Sequence, residues 1–327
     1  CLSNSFSKIS ITCSLQNSNV RYEFEIRRNI TIIKGDSATG KTTLVEMIGE
    51  FYENGLSSGI ELFCKKTCSV LAGRNWKSAL ETMHEEIIFI DEGNAFVYTT
   101  EFAKAVQKSD NYYVIVTREG LANLPYSVEE IYGIRESGKY AALKQTYNEL
   151  YHIYGLTDFH EKIKPTKVVV EDSNAGFDFF KGLSENKEYN VISANGKSNI
   201  FGKVLQNISE KMILVIADGA AFGAEMDRMV KLLKGKKNIT LFLPESFEWL
   251  ILKSDVLDNR EVRTILEKPE QYIDSKKFFS WERYFTALLI EKTHDSYLQY
   301  TKKKINRVYL QENEKKKICG QIEKIEL

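Results

Sequence analysis

At 327 residues the chain exceeds one typical domain, and with 43% hydrophobic and 28% charged residues and only four prolines its composition excludes wholesale disorder and favours two packed cores. Forty-five basic residues balance 45 acidic ones, so global charge gives no argument for nucleic-acid binding, although a local basic groove is compatible with it. No apolar run approaches the ~20 residues of a membrane span, and the first residues lack a charged n-region and an apolar h-region. A cytoplasmic protein with no membrane partner is therefore expected, and the start on Cys1 rather than Met is that expected of a trimmed sequence.

The five cysteines, Cys1, Cys13, Cys64, Cys68 and Cys319, are odd in number and as dispersed as the four histidines, which predicts reduced thiols. Cys64 and Cys68 have no partner pair downstream and read as buried thiols rather than a metal site.

In chain order, alternating stretches from Ile9 to Leu15 and from Val20 to Ile26 flank a turn at residues 16–19 and predict a hairpin. A third strand, Ile30 to Lys34, runs into Gly35 and a helix starting near Lys41. Apolar runs at Ile60 to Cys64, Glu86 to Ile90 and Tyr112 to Thr117, separated by lengths suited to crossover helices, predict a parallel α/β domain. Helix is expected from about Tyr140 to Tyr154, and a boundary near Pro165. A second α/β core follows, with strands at Lys167 to Val170, Tyr189 to Ser193, Met212 to Ala217 and Asn238 to Leu243. Beyond about Asp255, Trp281, Tyr284, Phe285, Leu288 and Leu289 form a helical apolar stripe, and the Lys/Glu-rich stretch from Lys302 to Lys324 reads as a solvated helical face. Three regions are thus expected: 1–160, 165–255 and a helical 256–327.

Gly35-Asp36-Ser37-Ala38-Thr39-Gly40-Lys41-Thr42 matches GxxxxGK[ST] in the strand-to-helix context that a phosphate-binding loop requires, and Thr43 follows it. Its amides and the helix N-terminus suit a nucleotide's β-phosphate, Lys41 its β- and γ-oxygens, and Thr42 Mg²⁺. The apolar strand ending in Asp91 and Glu92 supplies a magnesium-shell carboxylate in Asp91 and a water-polarising one in Glu92, the logic of hydrolysis rather than kinase transfer. Thr117 or Arg118, ending the next strand, is the candidate γ-phosphate sensor, though a strand-end arginine also serves as a surface ion pair.

These segments resemble the additional-strand class of P-loop ATPases, and the leading hairpin resembles the opening of ABC-type domains. The LSGGQ-like signature of such domains is missing. The similar string Leu56-Ser57-Ser58-Gly59 lies too early and enters a strand, which argues against a head-to-head, ATP-sandwiching dimer.

In the second core, acids at strand ends make a divalent-metal site. From Lys167 to Leu252, a strand ending in Glu171, the Gly196-Lys197 turn, a strand ending in Asp218 and a late glutamate, Glu248, resemble the TOPRIM domain of the OLD (overcoming lysogenization defect) nucleases, which join it to an ABC-type ATPase. The resemblance implies metal binding by Glu171, Asp218 and Glu248, catalysis involving Glu171 and Asp218, Mg²⁺ or Mn²⁺ and ATP as cofactors, DNA as substrate, and a role in phage defence or mobile-DNA handling. It departs at Asp172, where a glycine is usual, and at Ala220, where the second Asp of the DxD turn is expected. Asp172, Asp178, Glu225 or Asp227 are candidates to compensate, and Lys197, Lys234, Lys237 or Lys253 to contact phosphate. The alternative is an ATP-driven switch or scaffold with a degenerate TOPRIM-like domain whose helical tail binds a partner protein. Homo-oligomerisation is expected from the class alone.

Overall fold

The structure, a computed structural model, describes residues 10–35, 39–137, 145–155, 162–274 and 277–327. Their contacts divide into an N-terminal unit, the described residues of Phe6–Gly155 with Glu270–Phe279, and a C-terminal unit, those of Leu156–Pro269 with Ser280–Leu327. Both are α/β.

The N-terminal unit opens with the hairpin β1 (Ile11–Gln16) and β2 (Val20–Ile26). Its turn is held by the Asn17 side chain, whose Oδ1 accepts from the amides of Asn19 and Val20, both at 2.9 Å. Then come β3 (Ile30–Ile33), α1 (Lys41–Asn54), β4 (Glu61–Cys64), β5 (Cys68–Val70), α2 (Trp76–Leu80), β6 (Ile87–Ile90), α3 (Thr100–Lys108), β7 (Tyr112–Val116), β8 (Ile131–Glu136) and β9 (Thr146–His152). The described strands form one mixed sheet in the order β4-β1-β2-β9-β8-β3-β7-β6-β5. Strands β3, β6 and β7 are buried along their whole length, as their Ile/Val/Phe/Tyr runs, interrupted only by Thr31, require of parallel strands covered on both faces. Helix α1 buries Leu44, Val45, Met47 and Ile48, on one face, in the same core as Phe24, Ile33, Phe89 and Val114.

Two expectations are corrected here. The helix expected from Tyr140 to Tyr154 is, within the described residues, strand β9, which pairs parallel with β2 and antiparallel with β8. Residues 140–144, which carried most of the helical signal, lie outside the described residues. The segment that follows, with Thr146, Tyr147 and Tyr151, satisfies two strands that would otherwise leave open edges. The run Ile60 to Cys64 yields β4, antiparallel on β1, whereas the parallel place beside β6 goes to the three-residue β5.

The C-terminal unit contains β10 (Lys167–Val170), α4 (Ala175–Leu183), β11 (Asn190–Ser193), α5 (Lys197–Gln206), β12 (Ile213–Ile216), α6 (Met226–Gly235), β13 (Ile239–Phe242), α7 (Phe247–Lys253), α8 (Arg260–Glu267), α9 (Trp281–Thr293) and α10 (Glu312–Cys319). Its described strands make a parallel sheet in the order β11-β10-β12-β13. Tyr284, Phe285, Leu288 and Leu289 of the predicted stripe are buried on α9, which packs against the Gly219–Ala221 turn after β12. The stretch from Lys302 to Lys324 is helical only in a 3-10 turn, Arg307–Leu310, and in α10, and Lys302 is half-buried rather than solvated.

Gly219 fixes the turn: its N–H donates to Pro244 O at 2.6 Å, and a Cβ there would stand 2.6 Å from Leu243 O. Gly219→Ala is expected to lower stability by about 1–3 kcal/mol, because the obstacle is backbone rather than a side chain that can rotate away. Urea unfolding checks this, and an unchanged midpoint would contradict it.

Candidate functional site

In the N-terminal unit, β3 leads through Lys34 and Gly35 into the loop. Asp36, Ser37 and Ala38 lie outside the described residues. Gly35 (φ 139°) and Gly40 (φ 86°) have backbone conformations that other residues rarely adopt. A Cβ on Gly40 would stand 2.8 Å from the Tyr22 hydroxyl, which itself donates to Gly40 O at 2.8 Å, so β2 of the hairpin underpins the loop. Nothing in the local motif marks Tyr22. Lys41 is buried at the start of α1, its Nζ donating to Gly35 O and to Thr39 Oγ1, both at 2.9 Å, so the ammonium bonds to both described ends of the loop. Thr42 and Thr43 are exposed on the first turn of α1.

Asp91 and Glu92 follow β6 directly, with β7 between β6 and β3. Asp91 Oδ1 accepts from the Glu92 amide at 2.8 Å, and Asn94 Nδ2 donates to Asp91 O at 2.9 Å, fixing the turn. Arg118 pairs with Glu92 at 2.6 Å, between partly exposed groups whose mutual stabilisation is small. Thr117 is buried, its hydroxyl donating to Glu119 O at 3.0 Å and lying 3.0 Å from the Tyr98 hydroxyl, bonds that hold it within its own turn.

In the C-terminal unit, Glu171 and Asp218 follow the adjacent strands β10 and β12. Glu171 Oε2 accepts from the Asp218 amide at 2.9 Å. Glu248, 2% exposed, lies on α7, which Ser246 caps by accepting from the Trp249 amide at 3.1 Å. Its Oε1 accepts from the Tyr300 hydroxyl at 2.8 Å. Asp172, in the usual glycine position, accepts from Phe177 N at 3.0 Å and so helps start α4. Asp178 accepts from Ile305 N at 3.4 Å, Glu225 is buried, and Lys253 lies over the Trp249 ring at 4.7 Å. Lys197 Nζ donates to Ala221 O at 2.9 Å.

Sequence reasoning missed Glu282, Tyr300 and Lys302. Burial first, then the charges of Glu282, Glu171 and Glu248, holds the Asp218 carboxyl well above the ordinary carboxylate range. Lys302 donates to Glu282. Burial works against the Lys302 charge, but Glu248, Glu282 and Asp218 outweigh it and hold the ammonium above its usual range. Glu282 was detectable in principle: it precedes Phe285 and Leu289 by three and seven residues, so it shares the face that α9 buries. Lys302 sits in a Lys302-Lys303-Lys304 run with no such signal.

Among the described residues no three carboxylates bring an oxygen within 4.8 Å of one another. The expected ligands Glu171, Asp218 and Glu248 thus gather without converging on one point, and Ala220 adds no donor.

Glu171 carries a pH consequence. Burial pushes its carboxyl from 4.5 up to about 7, with Glu282 adding to the rise and the Asp218 amide opposing it. Between those values the folded chain holds a proton that the unfolded chain has released, so stability falls as pH climbs through this window and levels off above it. Asp218, raised likewise, adds in the same direction. Glu171→Gln is expected to raise stability at pH 8 by on the order of 2 kcal/mol and to leave pH 4 nearly unchanged. Melts at the two pH values test this, and a variant that keeps the full decline would contradict it.

The cysteine expectation also changes. Cys13 and Cys64, opposite one another in the β1–β4 register with Cα atoms 4.5 Å apart, are joined in a disulfide, and the Cys68 sulfur lies beside them. Antiparallel pairing of β1 with β4 unites residues 51 apart in sequence.

No family model, curated protein or solved structure matches the chain. Among the described residues no helix is long and apolar enough to cross a membrane.

Proposed function

We propose that the N-terminal unit binds and hydrolyses ATP with Mg²⁺, and that its turnover gates metal-dependent phosphodiester cleavage in the C-terminal unit, as in OLD-like nucleases. The observation that carries the ATPase reading is the glycine loop between β3 and α1 with Lys41 buried inside it, one strand removed from the strand that ends in Asp91 and Glu92. The residues fit the ligand: a buried ammonium already held by the loop's own acceptors exchanges them for phosphate oxygens with little reorganisation. Magnesium, when bound, neutralises charge developing on the phosphates. Thr42 and Asp91 would hold it. Glu92 is the base that orients and polarises water, and freeing it requires its ion pair with Arg118 to open.

For the C-terminal unit the fit to a metal is partial, since its acids do not converge. What supports a cation there is charge: Glu171, Asp218, Glu248 and Glu282 crowd together with raised proton affinity at two of them. A second reading, an ATP-driven switch that binds a partner protein, is favoured by the Lys302–Glu282 pair, in which an ammonium from the chain itself takes the cation's part. The test is phosphate release from ATP with Mg²⁺, alongside nicking of supercoiled plasmid in Mg²⁺ or Mn²⁺ with and without ATP. ATP-stimulated nicking supports the first reading. ATP turnover by clean protein that leaves DNA intact supports the second, and no turnover contradicts both.

A further inference from the structure

We propose that in the reduced chain Cys13, Cys64 and Cys68 form a trithiolate site for a thiophilic divalent cation of the zinc class. Their three Sγ atoms lie within 4.8 Å of one another and come from β1, β4 and the start of β5. Cys13 and Cys68 are 0% and 2% exposed, in one apolar cluster with Phe24, Ile48 and Ile60, while Cys64 is half-buried at its edge. Cys64 therefore marks the side from which an ion and a solvent ligand arrive.

Thiolates select soft and borderline cations over Mg²⁺ or Ca²⁺. An apolar surround disfavours residual charge: three thiolates leave one negative charge on a divalent ion but two on a cuprous one, so burial favours the divalent ion. With zinc–sulfur bonds of about 2.3 Å, a tetrahedral set places its sulfurs about 3.8 Å apart. That separation falls within the 4.8 Å limit of the cluster, so side-chain rotation suffices.

The Cys13–Cys64 bond uses two of the three ligands, so disulfide and metal exclude one another. A dithiol reductant passes two electrons to that bond, becoming a disulfide itself and leaving two protein thiols. Coordination by all three sulfurs then releases three protons to solvent. Because the ion must displace those protons, affinity rises with pH.

The test uses the full chain, reduced and freed of reductant, titrated with Cd²⁺ and followed by thiolate-to-metal charge-transfer absorption, with Zn²⁺ as competitor. One ion per chain is expected, displaced by Zn²⁺, with three of the five cysteines protected from a thiol reagent. Chain oxidised beforehand, with Cys13 and Cys64 already unreactive in their disulfide, should give no band and no Cd²⁺-dependent change in thiol reactivity. Cys64→Ser and Cys68→Ser should weaken binding by about tenfold or more, whereas Cys319→Ser, in the other unit, should leave it unchanged. Protection of fewer than three cysteines in the reduced wild-type chain overturns the proposal, and that readout stands even if a serine variant fails to fold. A folded Cys68→Ser that binds Cd²⁺ as the wild type does overturns it equally.

Discussion

Lys41→Ala is expected to cut ATP hydrolysis by about 100-fold or more while leaving the fold nearly as stable. The activity loss follows from position. The buried Lys41 donates to Gly35 O and Thr39 Oγ1, and on the proposed reading its ammonium would meet phosphate oxygens as charge develops; removal of a single preorganised donor of this kind costs about 10²–10³ in rate. The small stability change is expected because Lys41 lies at the first position of α1, where its replacement by the strong helix former alanine leaves the helix intact. Lys41→Arg should rescue poorly, since a planar fork does not replace a point charge in a space this size. Phosphate release at saturating ATP, with melting curves on the same samples, checks both halves. An alanine variant within a few-fold of wild type would remove Lys41 from the mechanism.

Asp218→Asn is expected to abolish plasmid nicking, a loss of about 100-fold or more, and at the same time to raise the melting temperature at pH 8. The two effects have one cause. Asp218 is held well above its ordinary range by burial and by Glu282, Glu171 and Glu248, so the folded state bears the cost of its charge at alkaline pH, and a neutral amide of the same shape relieves it. A cation at the site would need that charge, so activity goes as stability comes. Loss of nicking with a lower melting temperature would indicate mere unfolding. Nicking that survives in the variant would assign any cleavage to other residues.

What was legible in the sequence is what is local. The loop from Gly35 to Thr42 and the strand ending in Asp91 and Glu92 are contiguous patterns, and apolar strands followed by acids at Glu171 and Asp218 are visible in the same way. The order of strands is not local. Nothing near Tyr112–Val116 dictates that β7 lies between β3 and β6, and nothing near Thr146–His152 announces that β2 and β8 await a partner. The same holds for side chains that meet across long stretches of chain. Tyr22 reaches Gly40, Cys13 meets Cys64, and Tyr300 and Lys302 reach Glu248 and Glu282, all through pairings and packing that periodicity does not encode. The Lys302 case is the most instructive, because a lysine run is ordinarily solvated, and here one member is drawn inward by buried carboxylates whose charge outweighs its desolvation.

The most direct test of the central claim is an equilibrium titration of the intact chain with ATP in Mg²⁺, with Lys41→Ala measured in parallel. Saturable binding of one nucleotide per chain, lost in the variant, is the predicted result. Absence of binding at ~1 mM ATP, where even a contact worth only about 4 kcal/mol would register, would contradict the account of the N-terminal unit and of the gating built on it.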